Sequence, residues 1–307
     1  MKHSIKITLI LIGMFFFTQL IGIYVANAYS PETIQIKNET TGEIINKTEY
    51  NLPYGLDPPE DINPKTSAVS IIIALAIAVT LMLLLMKLKA ETFLRIWFLI
   101  VVIIGIALGV NAFIIKLPQS ALIAFLIAIP LGIIKIFQRN IIVHNLTEVI
   151  IYPGIASVFI PILNIPVMIF LLILISVYDM YAVWHAGFMQ KMAKYQIEKL
   201  RIFSGFFIPY LKKEDRIALK KAKEEGKKST KIKVNLAILG GGDVVFPILL
   251  SGVVLHALGF AQALIIPIGA TLGLAYLFYH SEKGKFYPAM PFISVGCLIA
   301  LGVAYLI

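Results

Sequence analysis

Two aspartates, Asp179 and Asp243, stand in stretches otherwise almost free of charge. An aspartate at the centre of a membrane helix costs about 2.5–3.5 kcal/mol on insertion scales, so such a residue needs a reason to be there. A structural acid would offset that cost with a lysine or arginine, yet no apolar stretch holds one away from its ends. Two carboxyls brought near each other can instead share a proton, one ionised and the other neutral. The ionised member then takes a proton from water as that water attacks an amide, and the neutral member protonates the carbonyl oxygen. Such chemistry calls for no cofactor and no metal. It requires only that the two aspartates meet.

The elements that must bring them together are set by composition. Of 307 residues, 59% are hydrophobic and 14% charged, and the mean hydropathy is +0.88. Soluble domains run near half apolar and a quarter charged, so the chain reads as an all-α polytopic membrane protein. About 20 apolar residues cross a bilayer. Nine stretches qualify, at 5–27, 67–87, 93–115, 118–136, 141–162, 165–187, 234–256, 260–279 and 288–307. Pro118, Pro161 and Pro166 mark tight connections and hence antiparallel neighbours. Two long breaks divide the chain. Residues 1–187 form an N-terminal bundle of six spans with an outer loop at 28–66, residues 188–233 a basic loop, and residues 234–307 a C-terminal bundle of three spans.

Charge gives the direction. With the N-terminus inside, all but Lys37, Lys47, Lys65 and Lys116 of the 27 lysines and arginines fall in cytoplasmic segments. The expected topology is therefore N-terminus in and C-terminus out. The net charge of +10 follows alternate loops rather than one binding face, which excludes nucleic acid as the partner and leaves the lipid bilayer. Phe188 to Leu211 mixes lysine with aromatic and aliphatic residues, as a helix lying in the interface does. The first span ends in Ala26-Asn27-Ala28, which resembles a signal-peptidase site, but its apolar run exceeds the about 7–15 residues of a signal peptide, so a retained helix is expected. Sequons at Asn38 and Asn46 lie in the outer loop, and the single Cys297 allows no disulfide within the chain.

Depth pairs the aspartates. Asp179 stands eight residues before the inner end of the sixth stretch and Asp243 nine after the inner start of the seventh. At a helical rise of 1.5 Å both lie roughly 12–14 Å from the cytoplasmic boundary. Glu148, one turn after His144 near the inner start of the fifth stretch, is expected to reach the interface.

At these positions the sequence resembles the presenilin and signal peptide peptidase family. Tyr178-Asp179 matches its Tyr-Asp motif, Gly240-Gly241-Gly242-Asp243 its Gly-x-Gly-Asp, and Pro288-Ala289-Met290 its Pro-Ala-Leu, with Met290 in place of leucine. The resemblance implies an intramembrane aspartyl endopeptidase with Asp179 and Asp243 catalytic. It also implies supporting or substrate-binding roles for Tyr178, Gly240, Gly241, Gly242, Pro288, Ala289 and Met290. Substrates would be transmembrane helices or signal peptides. The loop direction is presenilin-like while Asp243-Val244-Val245-Phe246-Pro247 is nearer the signal peptide peptidase pattern, which fits a microbial homologue acting without partner subunits. Paired intramembrane acids also serve proton- or Na⁺-coupled transporters, and that is the alternative. It expects inverted repeats, and the two halves share no such pattern.

Overall fold

The computed structural model describes residues 5–37, 44–58, 64–138, 140–186, 204–210, 235–282 and 287–307. The sequon at Asn38 and most of the basic stretch 188–233 lie outside these. In lipid a spanning segment must satisfy its own backbone, so the apolar stretches are helices. In chain order they are α1 (Ile5–Ala28), α2 (Pro64–Lys87), α3 (Glu91–Ile114), α4 (Ser120–Phe137), α5 (Ile141–Phe159), α6 (Ile165–Tyr181), α7 (Gly241–Leu258), α8 (Ile265–His280) and α9 (Met290–Ala304). They follow the nine expected spans. Among the described residues seven helical segments are long and apolar enough to cross a membrane, while Ala76–Leu85 within α2 and Met290–Ala304 are shorter apolar helices.

Local sequence sets the starts. Asn140 accepts the N–H groups of Ile142 and Val143 to cap α5, and Asn164 accepts that of Val167 to cap α6, where Pro166 fits the first turn. A π turn, Ala182–Ala186, follows α6.

Two small sheets depart from the expected all-helical reading. β1 (Glu32–Lys37) pairs antiparallel with β2 (Ile44–Glu49) between α1 and α2, and β3 (Gly205–Tyr210) pairs antiparallel with β4 (Asn235–Gly240). Over 205–210 a strand thus stands where an interface-lying helix was expected. The reason is local. Gly205 has φ of +145°, which side-chain-bearing residues avoid, Pro209 has no N–H for a helix, and Phe206, Phe207, Ile208 and Tyr210 favour a pleated strand. β4 likewise replaces the expected start of the seventh span, so α7 begins at Gly241 rather than near 234.

The main core joins α1, α5, α6, α7, α8 and α9 with the β3–β4 sheet, around Phe15, Met168, Leu172, Phe206, Ile248 and Ile266. A smaller core holds α3, α4 and α5 through Ile106, Ala128 and Ile151. Small residues let backbones approach where packing alone must drive association. At the α8–α9 crossing, for example, a Cβ on Gly269 or Gly296 would collide with the other's carbonyl oxygen. Large apolar side chains such as Phe17, Trp97, Leu126 and Leu272 lie exposed around the bundle, a surface suited to lipid rather than water. The chain is an integral, multi-pass membrane protein.

Candidate active site

Asp243 is delivered by a strand that runs straight into a helix. Gly240 closes β4 with extended backbone, and Asp243 stands in the first turn of α7. Its half-buried carboxyl turns back toward Gly240, whose N–H faces it. A Cβ at 240 would lie 3.1 Å from Oδ2. A carboxylate there meets the orphan N–H groups and positive end of the helix. Pro247, four residues on, has no N–H to give the Asp243 carbonyl. The next carbonyl, that of Val244, accepts a hydrogen bond of 3.0 Å from the Gln19 side chain of α1. The turn bearing Asp243 is therefore held partly from outside its own helix.

The three glycines before it differ. A Cβ on Gly241 would come within 2.8 Å of the Tyr152 hydroxyl and 2.9 Å of the Ser204 hydroxyl, so only glycine fits that contact. Gly242 is exposed and faces open space, leaving the backbone accessible beside Asp243.

Asp179 lies near the C-terminal end of α6 and is buried. Its Oδ2 accepts the Met290 N–H at 3.1 Å, and the Ala289 N–H faces the same carboxyl. Ala289 is the residue before α9 and has no side chain to cap it, so α6 supplies the cap through Asp179. One turn away, Ser176 donates to Ser294 at 2.9 Å and ties the same two helices. Pro288 and Met290 are buried beside this junction, whereas Tyr178 is 44% exposed.

Asp179 lies near enough to Asp243 for its charge to act on that carboxyl. Among the described residues neither has an ion-pair partner. What brings them together is packing of α6 against α7, not an equal count of helical residues. The expected depth match used a helical rise on both sides, but β4 occupies the approach to Asp243 and a strand rises about 3.3 Å per residue rather than 1.5 Å. An equal residue count therefore does not set a common depth, and the aspartates come near each other through the packing of α6 on α7.

Glu148 is the second correction. It does not reach an interface. It is 1% exposed and accepts a 2.6 Å hydrogen bond from Lys135, whose ammonium lies inside the bundle within α4. Lys135 thus answers the charge of Glu148, as a structural acid requires, and among the described residues the two aspartates have no such answer. The sequence carried a signal, His144 and Glu148 one turn apart, but Lys135 sat so near the span end that it read as loop.

A family model described as signal-peptide peptidase, presenilin aspartyl protease matches residues 55–307. No curated protein matches the chain. The fold is similar to a solved presenilin family intramembrane aspartate protease in a C222 crystal, with a TM-score of 0.61 and 18% identity over 97% of this chain and 98% of that one. A P2 crystal structure of a presenilin family intramembrane aspartate protease gives 0.57 and 17%, over 96% of each chain. The family match starts beyond α1, yet α1 packs in the main core and reaches Val244. With the family model spanning α2 to α9, the chain belongs to the signal-peptide peptidase and presenilin family of aspartyl proteases.

Proposed function

We propose that this intramembrane aspartyl protease hydrolyses amide bonds within transmembrane helices or signal peptides, with Asp179 and Asp243 as its reacting pair. The observation that carries the assignment is that packing of α6 on α7 brings near each other two aspartates from separate helices, with no cation paired to either among the described residues. One proton shared between them leaves one carboxylate to deprotonate water and one carboxylic acid to protonate the scissile carbonyl. The Met290 N–H fixes the Asp179 carboxyl, and the end of β4 fixes that of Asp243.

A helical substrate must unwind, because its own hydrogen bonds shield the amide. An unwound segment then needs partners for its backbone, and among the described residues no strand pairs with the second edge of β4. In a strand, alternate residues bond to opposite sides. Gly205 and Phe207 of β3 point their backbone groups at α5, so Phe206, Ile208 and Tyr210 face Leu239, Ala237 and Asn235 of β4. The other edge of β4, with Leu236 and Ile238, can receive an extended peptide, and at its end the Gly240 N–H faces Asp243. That edge ends three residues from Asp243, where Gly242 is exposed, and the Pro288–Met290 segment meets the second aspartate through the Met290 N–H. Tyr178, exposed beside Asp179, is placed to touch the same peptide.

The topology proposed is N-terminus in and C-terminus out, with the pair toward the cytoplasmic side and substrates entering with their N-termini outside. No partner subunit and no cofactor enters the mechanism. The test is cleavage of a transmembrane peptide by the purified, reconstituted chain. Asp179→Asn and Asp243→Asn are each expected to lower kcat by about four orders of magnitude, the scale on which loss of one member of a catalytic unit is felt. Undiminished cleavage by either variant overturns the assignment.

A further inference from the structure

The face of α5 that meets β3 is polar, which is unusual for a helix buried among membrane spans. Four of its side chains converge on that strand. Asn145 grips Phe207 from both sides, donating to its carbonyl at 2.9 Å and accepting its N–H at 3.2 Å. His144 meets the Gly205 carbonyl through Nε2 at 2.8 Å, and Glu148 receives the Gly205 N–H at a long 3.5 Å. The Tyr152 ring packs edge-on against Phe206, with centroids 5.8 Å apart, and its hydroxyl faces Gly241. Side chains of α5 thereby replace the missing neighbour strand along this edge of β3. Pro209, which has no N–H, falls on the same edge, where no donor is needed.

Lys135 fixes the chemistry of that grip. Its ammonium can only donate, and it lies 3.3 Å from His144 Nδ1 and 2.6 Å from Glu148. Nδ1 therefore accepts, which puts the ring proton of His144 on Nε2, aimed at the Gly205 carbonyl. The buried cation selects the tautomer that can hold the strand.

We propose that His144 and Asn145, with Lys135 and Glu148 behind them, are positioning residues for Asp243: by clamping β3 they hold β4, and β4 passes without a loop into the turn that carries the aspartate. The inference rests on Asp243 being one of the reacting pair. A rigid sheet matters because a misplacement of about 1 Å at a reacting group can cost a hundredfold in rate. Gly205 is part of the device, since its φ of +145° lets the strand begin where His144 and Glu148 can both reach it.

The experiment compares His144→Ala, Asn145→Ala, His144→Gln and Asp243→Ala in the full-length protein, reconstituted with a fluorogenic transmembrane peptide. Thermal stability of each purified variant is measured alongside. His144→Ala and Asn145→Ala are expected to lower kcat about ten- to a hundredfold while KM stays within about twofold, the split expected when only the reacting geometry is disturbed. His144→Gln keeps an N–H for the Gly205 carbonyl and should recover most of kcat, which a purely bulk-packing role would not produce. Asn145 is only half-buried, so its variant keeps the bundle folded and reports on the clamp alone. Full kcat in both alanine variants, a loss confined to KM, or no advantage of glutamine over alanine overturns the inference. An inactive Asp243→Ala beside fully active clamp variants removes this inference alone. An active Asp243→Ala removes the assignment of the pair, and the clamp with it.

Discussion

At the scale of single residues the site separates acids by the company they keep. Glu148 has Lys135 at 2.6 Å, while among the described residues Asp179 has backbone N–H groups and the nearby charge of Asp243. A buried ion pair broken on one side leaves an uncompensated charge, at about 3–5 kcal/mol. Lys135→Met is therefore expected to destabilise the bundle by that order, and Lys135→Met with Glu148→Gln to recover much of it, as measured by denaturation in detergent. Gly241 makes a sharper case. Adding one methyl group there forces it against the Tyr152 and Ser204 hydroxyls at 2.8 and 2.9 Å. Gly241→Ala is expected to lose about 1–3 kcal/mol of stability and more than tenfold in kcat, while Gly242→Ala, with open space before it, keeps its stability. Thermal melts beside a cleavage assay read both. Met290→Leu is a volume-conserving change that leaves the N–H to Asp179 in place, so it should cost less than about 1.5 kcal/mol and little activity.

At the scale of elements the junctions matter more than the spans. Asp179 closes the start of α9 because Ala289 cannot, so the position of α6 and the start of the Pro288–Met290 turn are one geometric fact. Asp243 stands where β4 becomes α7, and Pro247 and Gln19 share the upkeep of that turn. Gln19→Leu is expected to lower kcat with modest loss of stability, because it removes a neutral hydrogen bond worth about 1 kcal/mol at the carbonyl next to Asp243. A single-turnover cleavage assay is the measurement, and an unchanged rate would show that α7 holds its own first turn. The elements themselves were legible for a physical reason. Long apolar runs have one stable outcome in lipid, and asparagines before Ile141 and Ile165 announce their starts. β3 and β4 were not, because each is a six-residue strand whose partner lies beyond a long intervening stretch.

At the scale of the whole molecule α1 belongs to the catalytic body. It packs Leu11, Phe15 and Ile23 into the main core, although the family model begins only at residue 55. A chain lacking residues 1–28 is expected to show no cleavage, which purification of the truncated protein into the same lipid would test. Orientation is testable on the same scale. With Cys297→Ser as background, single cysteines placed in 188–233 are expected to react with a membrane-impermeant thiol reagent only from the cytoplasmic side, and those in 28–66 only from outside.

By itself the sequence determined the solvent, the number and order of the spans, and the two acids that no neighbouring cation explains. These follow from residue type and local spacing, which lipid makes nearly binding. It also carried the three motifs that place the chain in its family. Only the tertiary structure decided that β4 rather than helix leads to Asp243, that Lys135 lies inside to answer Glu148, and that the polar face of α5 holds β3. Each of these depends on contacts between segments far apart in the chain, where one hydrogen bond selects among arrangements that local sequence leaves equal. The aspartates were visible as residues, but their meeting is a property of α6 packed on α7.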